Sequence, residues 1–216
     1  MSEAGYEILS VDELEEHPTT AGTQVLLPLR RRLGFEPFGV NVWLGRSVGD
    51  HVIERHHEKN GPEELYLVLR GRAAFTLGDD AFEAPVGTLV HATPGTLREA
   101  TALEPGTLVL AAGAKAGVAF TPSPWEDFAI AFSLQRKGNE EGARAAMNEA
   151  LERDPDAWQG AYNAACFEAL AGNSDAALDH LRRAVAGGGD EVRTYAETDS
   201  DLDSLRDDPR YHEALA

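Results

Sequence analysis

The stretch Glu63-Glu64-Leu65-Tyr66-Leu67-Val68-Leu69-Arg70-Gly71 sets an unbroken apolar run between an acidic pair and a glycine. A short apolar run closed by a turn residue reads as a buried strand. The stretch therefore predicts a strand over Glu64–Leu69 and a turn at Gly71. Working outward, the same signature predicts strands at Thr23–Leu29, Phe38–Leu44, His51–His57, Ala73–Leu77, Ala81–Ala84, Thr88–Ala92, Leu97–Leu103 and Thr107–Ala112. Gly34, Gly45, Asn60-Gly61-Pro62, Gly78-Asp79-Asp80, Pro94-Gly95 and Pro105-Gly106 supply the turns between them. Short strands at close spacing, with no helical period between them, argue for an antiparallel sandwich or barrel. Ahead of them, residues 1–22 read as a lead-in, with one helical turn at Val11-Asp12-Glu13-Leu14 that His17-Pro18 stops.

The period changes near residue 121. Residues 114–124, with Gly117, Pro122 and Pro124, read as a linker. The chain then becomes Ala-rich and predicts helices at Trp125–Lys137, Asn139–Arg153, Asp156–Ala171 and Asn173–Ala186, with one or two short ones in the tail. Gly138 and Gly172 can end helices in the left-handed conformation, and Asn139 and Asn173 can cap the next ones. Gly187-Gly188-Gly189 is expected to end the last full helix. In the tail, Leu202, Leu205, Tyr211 and Leu215 are the apolar contacts. The expectation is β plus α in two domains: 1–113, the linker 114–124, and 125–216.

Composition narrows the function classes. The 216 residues carry a formal charge of −18, split −7 over residues 1–120 and −11 over 121–216. That field repels phosphate backbones and anionic lipid, so neither nucleic acid nor membrane is an expected partner. Arg30-Arg31-Arg32 is too short to reverse it and is read as ending a strand. No run approaches the roughly 20 apolar residues of a membrane span. An acidic start without an apolar core, and a single cysteine, Cys166, fit a cytoplasmic protein. Cys166 lies among small residues and reads as a packed side chain.

A 34-residue register runs through the helical half: Gly138 with Gly172, Asn139 with Asn173, Ala143 with Ala177, Ala150 with Ala184. The pattern of a glycine, an alanine five positions on and a second alanine seven positions further resembles the tetratricopeptide repeat over about residues 124–191. Met147 and Leu181 match its large apolar position, and Pro155 its closing proline. The resemblance implies a helical hairpin array that holds a protein or peptide. Two repeats are short of the three that usually bury a continuous core, so the array caps itself with its tail or packs on the β domain.

In the β half, Gly49, Arg55-His56-His57, Glu64 and Gly71, then Gly87, Thr93-Pro94-Gly95 and Arg98, resemble the two motifs of the cupin superfamily over about residues 35–113. The resemblance implies a jelly-roll barrel, and a homodimer paired through its sheets. In metal-dependent members two histidines, the glutamate and a third histidine hold one divalent ion. The matching positions here are Arg55, His57, Glu64 and Arg98. A guanidinium stays protonated and has no lone pair to give a cation.

On an alternating strand His51, Ile53, Arg55 and His57 share a face, turned inward if His57 is, and His56 faces out. The ligand candidates are thus Arg55, His57, Glu64, Arg98, His51 and Tyr66. Tyr66 and Trp43 are equally readable as plain core. His17, His180 and His212 are read as solvated. Three readings stay open. In the first, no metal is expected, a small anion binds in the barrel, and the helices contact a protein. In the second, a divalent metal sits on His57, Glu64 and a relocated His51 or His91, giving an oxygenase or isomerase. In the third, the barrel is ligand-free and the chain is a scaffold. No catalytic residue is identified, because no nucleophile with a paired base is visible.

Overall fold

The computed structural model describes residues 5–19, 23–58 and 61–216; Asn60 of the expected turn and Met1–Ala4 of the lead-in lie outside these. The chain divides into two compact units, Met1–Pro122 and Ser123–Ala216.

The first unit is built from β1 (His17–Pro18), β2 (Gln24–Leu27), β3 (Gly39–Gly45), β4 (His51–His56), β5 (Glu63–Arg70), β6 (Arg72–Leu77), β7 (Asp80–Pro85), β8 (Leu89–Ala92), β9 (Arg98–Ala102) and β10 (Thr107–Ala114). All pairs are antiparallel. Six strands lie in the order β1-β2-β3-β10-β5-β8 and four in the order β4-β9-β6-β7. The two sheets are not closed into a barrel, which corrects the expected closure. Between them pack Val52, Ile53, Tyr66, Val68, Phe75, Val90, Ala100 and Val109.

A second apolar cluster lies on Val25, Leu27, Val42, Leu44 and Leu108, where the lead-in adds Leu9, Val11 and Leu14. The lead-in is held by a 3-10 turn, Val11–Glu13, whose capping box is complete: Ser10 accepts from the Asp12 amide and Glu13 accepts from the Ser10 amide at 2.6 Å. Satisfying these end amides lets three residues hold a turn.

Two sequence expectations fail here. Arg30-Arg31-Arg32 does not end a strand. It lies in a short helix, α1 (Leu29–Leu33), with Arg30 buried. His17 is not solvated; it is 3% exposed on β1.

The second unit contains α2 (Trp125–Arg136), α3 (Glu140–Arg153), α4 (Trp158–Leu170), α5 (Ser174–Gly188), α6 (Asp190–Thr198), a 3-10 helix (Ser200–Leu205) and α7 (Pro209–Leu215). Gly138 and Gly172 take φ of 75° and 79° at the two hairpin turns, a conformation that side chains disfavour. α2 packs on α3 and α4 on α5. Ala143, Ala150, Ala177 and Ala184 are all buried at these contacts, where small side chains let helices approach closely.

Asn139 caps α3 by accepting from the Gly142 amide at 3.0 Å. Asn173 makes no such cap. Its side chain donates to Glu168 at 2.7 Å instead. The tail covers the array: the 3-10 helix packs on α4 and α7 on α5, with Leu202, Leu205 and Tyr211 buried.

The triple glycine does not end α5 where expected. Gly187 and Gly188 are helical and only Gly189 leaves the helix. The missing side chain makes room for Trp158: a Cβ on Gly188 would lie 2.7 Å from its ring and 2.7 Å from Val192. Gly188→Ala should therefore destabilise the helical unit by about 1–3 kcal/mol through overpacking, read by urea denaturation of the full chain. Unchanged stability would show that Trp158 moves aside freely.

Candidate functional site

Antiparallel pairing sets which side chains of β5 face inward. Glu64, Tyr66 and Val68 are alternate residues and share the inner face, and β9 turns Arg98, Ala100 and Ala102 to meet them. Arg98 is fully buried. Its Nε lies 2.9 Å from Oε2 of Glu64, an ion pair at an angle poor for a hydrogen bond. Nη1 donates to the Thr96 carbonyl at 3.3 Å. Nη2 is buried and has no hydrogen-bond partner among the described residues. The Tyr66 hydroxyl donates to the same Oε2 of Glu64 at 2.6 Å.

A fourth group joins them. His56 Nε2 lies 3.6 Å from Oε2 of Glu64, an ion-pair distance, and its Nδ1 lies 2.7 Å from the Glu54 carbonyl. Strict alternation turns His56 outward and His57 inward, and the structure reverses the two. The β4–β9 register explains the reversal. His51 opposes Thr101, Ile53 opposes Ala100 and His56 opposes Arg98, so β4 bulges twice. The first bulge puts Ile53 on the inner face beside Val52, and the second, after Ile53, brings His56 and not His57 opposite Arg98 on that face. Val52 and Ile53 are consequently both buried, and adjacent apolar residues in an otherwise alternating strand are the one sequence signal of it.

The other candidates lie elsewhere. His57 is exposed beyond the end of β4. Arg55 is exposed and pairs at 3.5 Å with Glu99, whose other oxygen lies 3.0 Å from His51. His91 sits on β8, exposed, 3.6 Å from Glu63. Glu64, Tyr66 and Arg98 come together with His56, whereas His57, Arg55, His51 and His91 do not join them.

The charges favour this arrangement. Burial alone would raise the Glu64 carboxyl, but His56, Tyr66 and the Arg98 charge together hold it below its ordinary value. The Glu64 carboxylate raises His56 above its ordinary value, against burial and against Arg98. Burial, and then Glu64, push the Tyr66 phenol far up, so it stays a donor. These residues do not fit a divalent ion. The oxygen that would coordinate it faces a permanent cation at 2.9 Å.

A second group of metal-type side chains, Cys166, Asp199 and Asp201, lies in the helical unit with ligand atoms within 4.8 Å of one another. Two of its three side chains, Cys166 and Asp199, are already engaged. Asp199 accepts from Tyr162 at 2.9 Å and from the Cys166 thiol at 3.6 Å, and caps the Asp201 amide at 3.0 Å. Burial pushes the thiol far up and away from the thiolate a metal needs. The group ties α4 to the tail.

No protein-family model matches the sequence, and no curated protein matches it. Solved structures do. One is a sugar phosphate isomerase from a cupin superfamily of Silicibacter pomeroyi, with 16% identity, TM-score 0.44, and 51% of this chain and 76% of that chain covered. Another is KdgF from a Halomonas species, with 17% identity, TM-score 0.42, and 50% and 94% covered. A third is a predicted oxalate decarboxylase from Thermotoga maritima, with 13% identity, TM-score 0.41, and 50% and 99% covered. The solved chains that are similar to this one are consistently cupin domains, over about half of its length.

Because the folded His56 lies above its ordinary 6.5, its contribution is fully present below that value and is lost as pH rises through the raised one. Glu64, held low, stays ionised across this window. Wild type should melt about 2 °C above His56→Gln at pH near 5.5, and the gap should close by about pH 9. A gap that is constant with pH would contradict the ion pair.

Proposed function

We propose that the β unit is a cupin-type domain that binds a small organic anion between its sheets, without catalysing its reaction, and that the helical unit is a protein-interaction module. The observation that carries the reading is the buried Nη2 of Arg98, a cationic donor with no acceptor among the described residues. A buried donor left unsatisfied costs about 1–3 kcal/mol, and an anionic oxygen on Nη2 would remove that cost. With His56 protonated, the cluster carries two positive charges against the one of Glu64. A guanidinium is suited to planar carboxylates and to phosphates.

The non-catalytic part is supported by the chemistry of the residues. Glu64 is committed to one donor and two cationic neighbours and is held low, and Tyr66 is held protonated, so neither is poised as a base at neutral pH. For the helical unit, the support is two helix pairs in a 34-residue register, closed at one end by the tail. No helix among the described residues is long and apolar enough to cross a membrane.

A thermal-shift screen of small carboxylates and phosphates tests the ligand reading. At least one acid at millimolar concentration should raise the melting temperature of the wild type by about 2 °C or more. Arg98→Met, which keeps the stem but not the charge, should abolish that shift. No stabilising acid in a broad panel would leave the cluster as a ligand-free internal ion pair.

A further inference from the structure

Gly39, Gly113, Glu64 and Ala92 are cross-strand partners on β3, β10, β5 and β8, four neighbouring strands. Cross-strand partners share a face, so this row lies on the inner face with Glu64. Neither Gly39 nor Gly113 has a positive φ. Their missing side chains therefore provide room, not a turn. The room is used. A Cβ on Gly113 would lie 2.9 Å from Cγ of Glu64 and 2.8 Å from the Glu63 carbonyl oxygen. A Cβ on Gly39 would lie 3.4 Å from two carbons of the Phe120 ring. Gly113 thus makes room for the stem of Glu64, and the ring of Phe120, from the segment after β10, lies against Gly39.

We infer that Phe120 is the apolar wall of the anion site, and that the ligand is an organic acid with a flat or apolar group next to its carboxylate. This rests on the anion-binding reading. Glu64 and Gly39 are two strand spacings apart, about 10 Å, a span that suits a carboxylate at the Arg98 end and one ring or short chain at the other. The two ends differ in kind. The Glu64 end holds a buried guanidinium donor with no partner among the described residues, and the Gly39 end has an aromatic ring against it. An acid lacking the apolar part would meet only the first. A polar ligand of the same length would leave Phe120 without a partner surface.

Benzoate and acetate serve as probes, titrated into the full chain and followed by amide chemical shifts. In the wild type benzoate should bind more tightly than acetate. Phe120→Ala should weaken benzoate about tenfold, about 1.4 kcal/mol, and leave acetate within about twofold, since truncation removes the ring contact alone. Arg98→Met should lose both. Phe120→Leu, which keeps an apolar contact and protects against a folding failure, should weaken benzoate by less than Phe120→Ala. Benzoate binding that is unchanged or tighter in Phe120→Ala, with Arg98 still required, would overturn the wall and leave the anion site standing. Failure of both acids to bind the wild type would overturn the anion site and the wall with it.

Discussion

A guanidinium cannot shed its proton when it is buried, and Arg98 is buried completely. Its charge has to be met where it stands. Glu64 meets it from the neighbouring sheet at 2.9 Å, so the two sheets are joined through a charge pair as well as through apolar packing. The cost of taking both charges out of water makes such a pair worth little in net stability, but the loss of one partner expensive, about 3–5 kcal/mol. Glu64 is thereby committed to staying ionised. Tyr66 and His56 are recruited by that commitment, because each gives the carboxylate a donor that favours its charged form. The same pair leaves Nη2 of Arg98 without an acceptor among the described residues. Structural necessity on one side of the guanidinium and an unsatisfied group on the other make this cluster the candidate site.

The helical unit depends on a different constraint. Two helix pairs expose an apolar face at the end of the stack, and at least three repeats are normally needed to bury a continuous core. The tail supplies the missing layer. Leu202 and Leu205 are fully buried there. The Tyr211 hydroxyl donates to the Ala196 carbonyl at 2.9 Å. Arg193 holds the far end by donating to the carbonyls of Leu215 and Ala216 at 2.6 and 2.9 Å. Trp158 is packed into the glycines of α5, and its ring stacks at 6.2 Å on Tyr195 of α6.

Much of this is legible in the sequence because it is written in local chemistry. The run from Glu64 to Leu69 is a strand on any reading, and Gly138 and Gly172 end their helices because few other residues adopt that conformation. Glu64, Tyr66 and Arg98 can be assigned to one face because alternation holds on β5 and β9. It fails on β4, where one bulge turns Ile53 inward beside Val52 and a second makes His56, not His57, follow Ile53 onto the inner face, and no local rule counts bulges. The burial of Arg30 is hidden because charge argues for solvent. Gly187 and Gly188 read as a stop because their partner, Trp158, is distant in sequence. Phe120 carries no signal at all: it lies in an irregular segment, and only the pairing of Gly39 with Gly113 gives it a seat.

The central claim is that a fixed cation, not a metal ion, stands at Glu64. An experimental electron-density map of the inter-sheet space, from crystals grown with divalent transition metals supplied, tests it most directly. The expected map has the Arg98 guanidinium within about 3 Å of the Glu64 carboxylate and an oxygen atom of an acid or a water on Nη2. A metal ion coordinated by Glu64 and His57, with Arg98 turned away, would contradict the account.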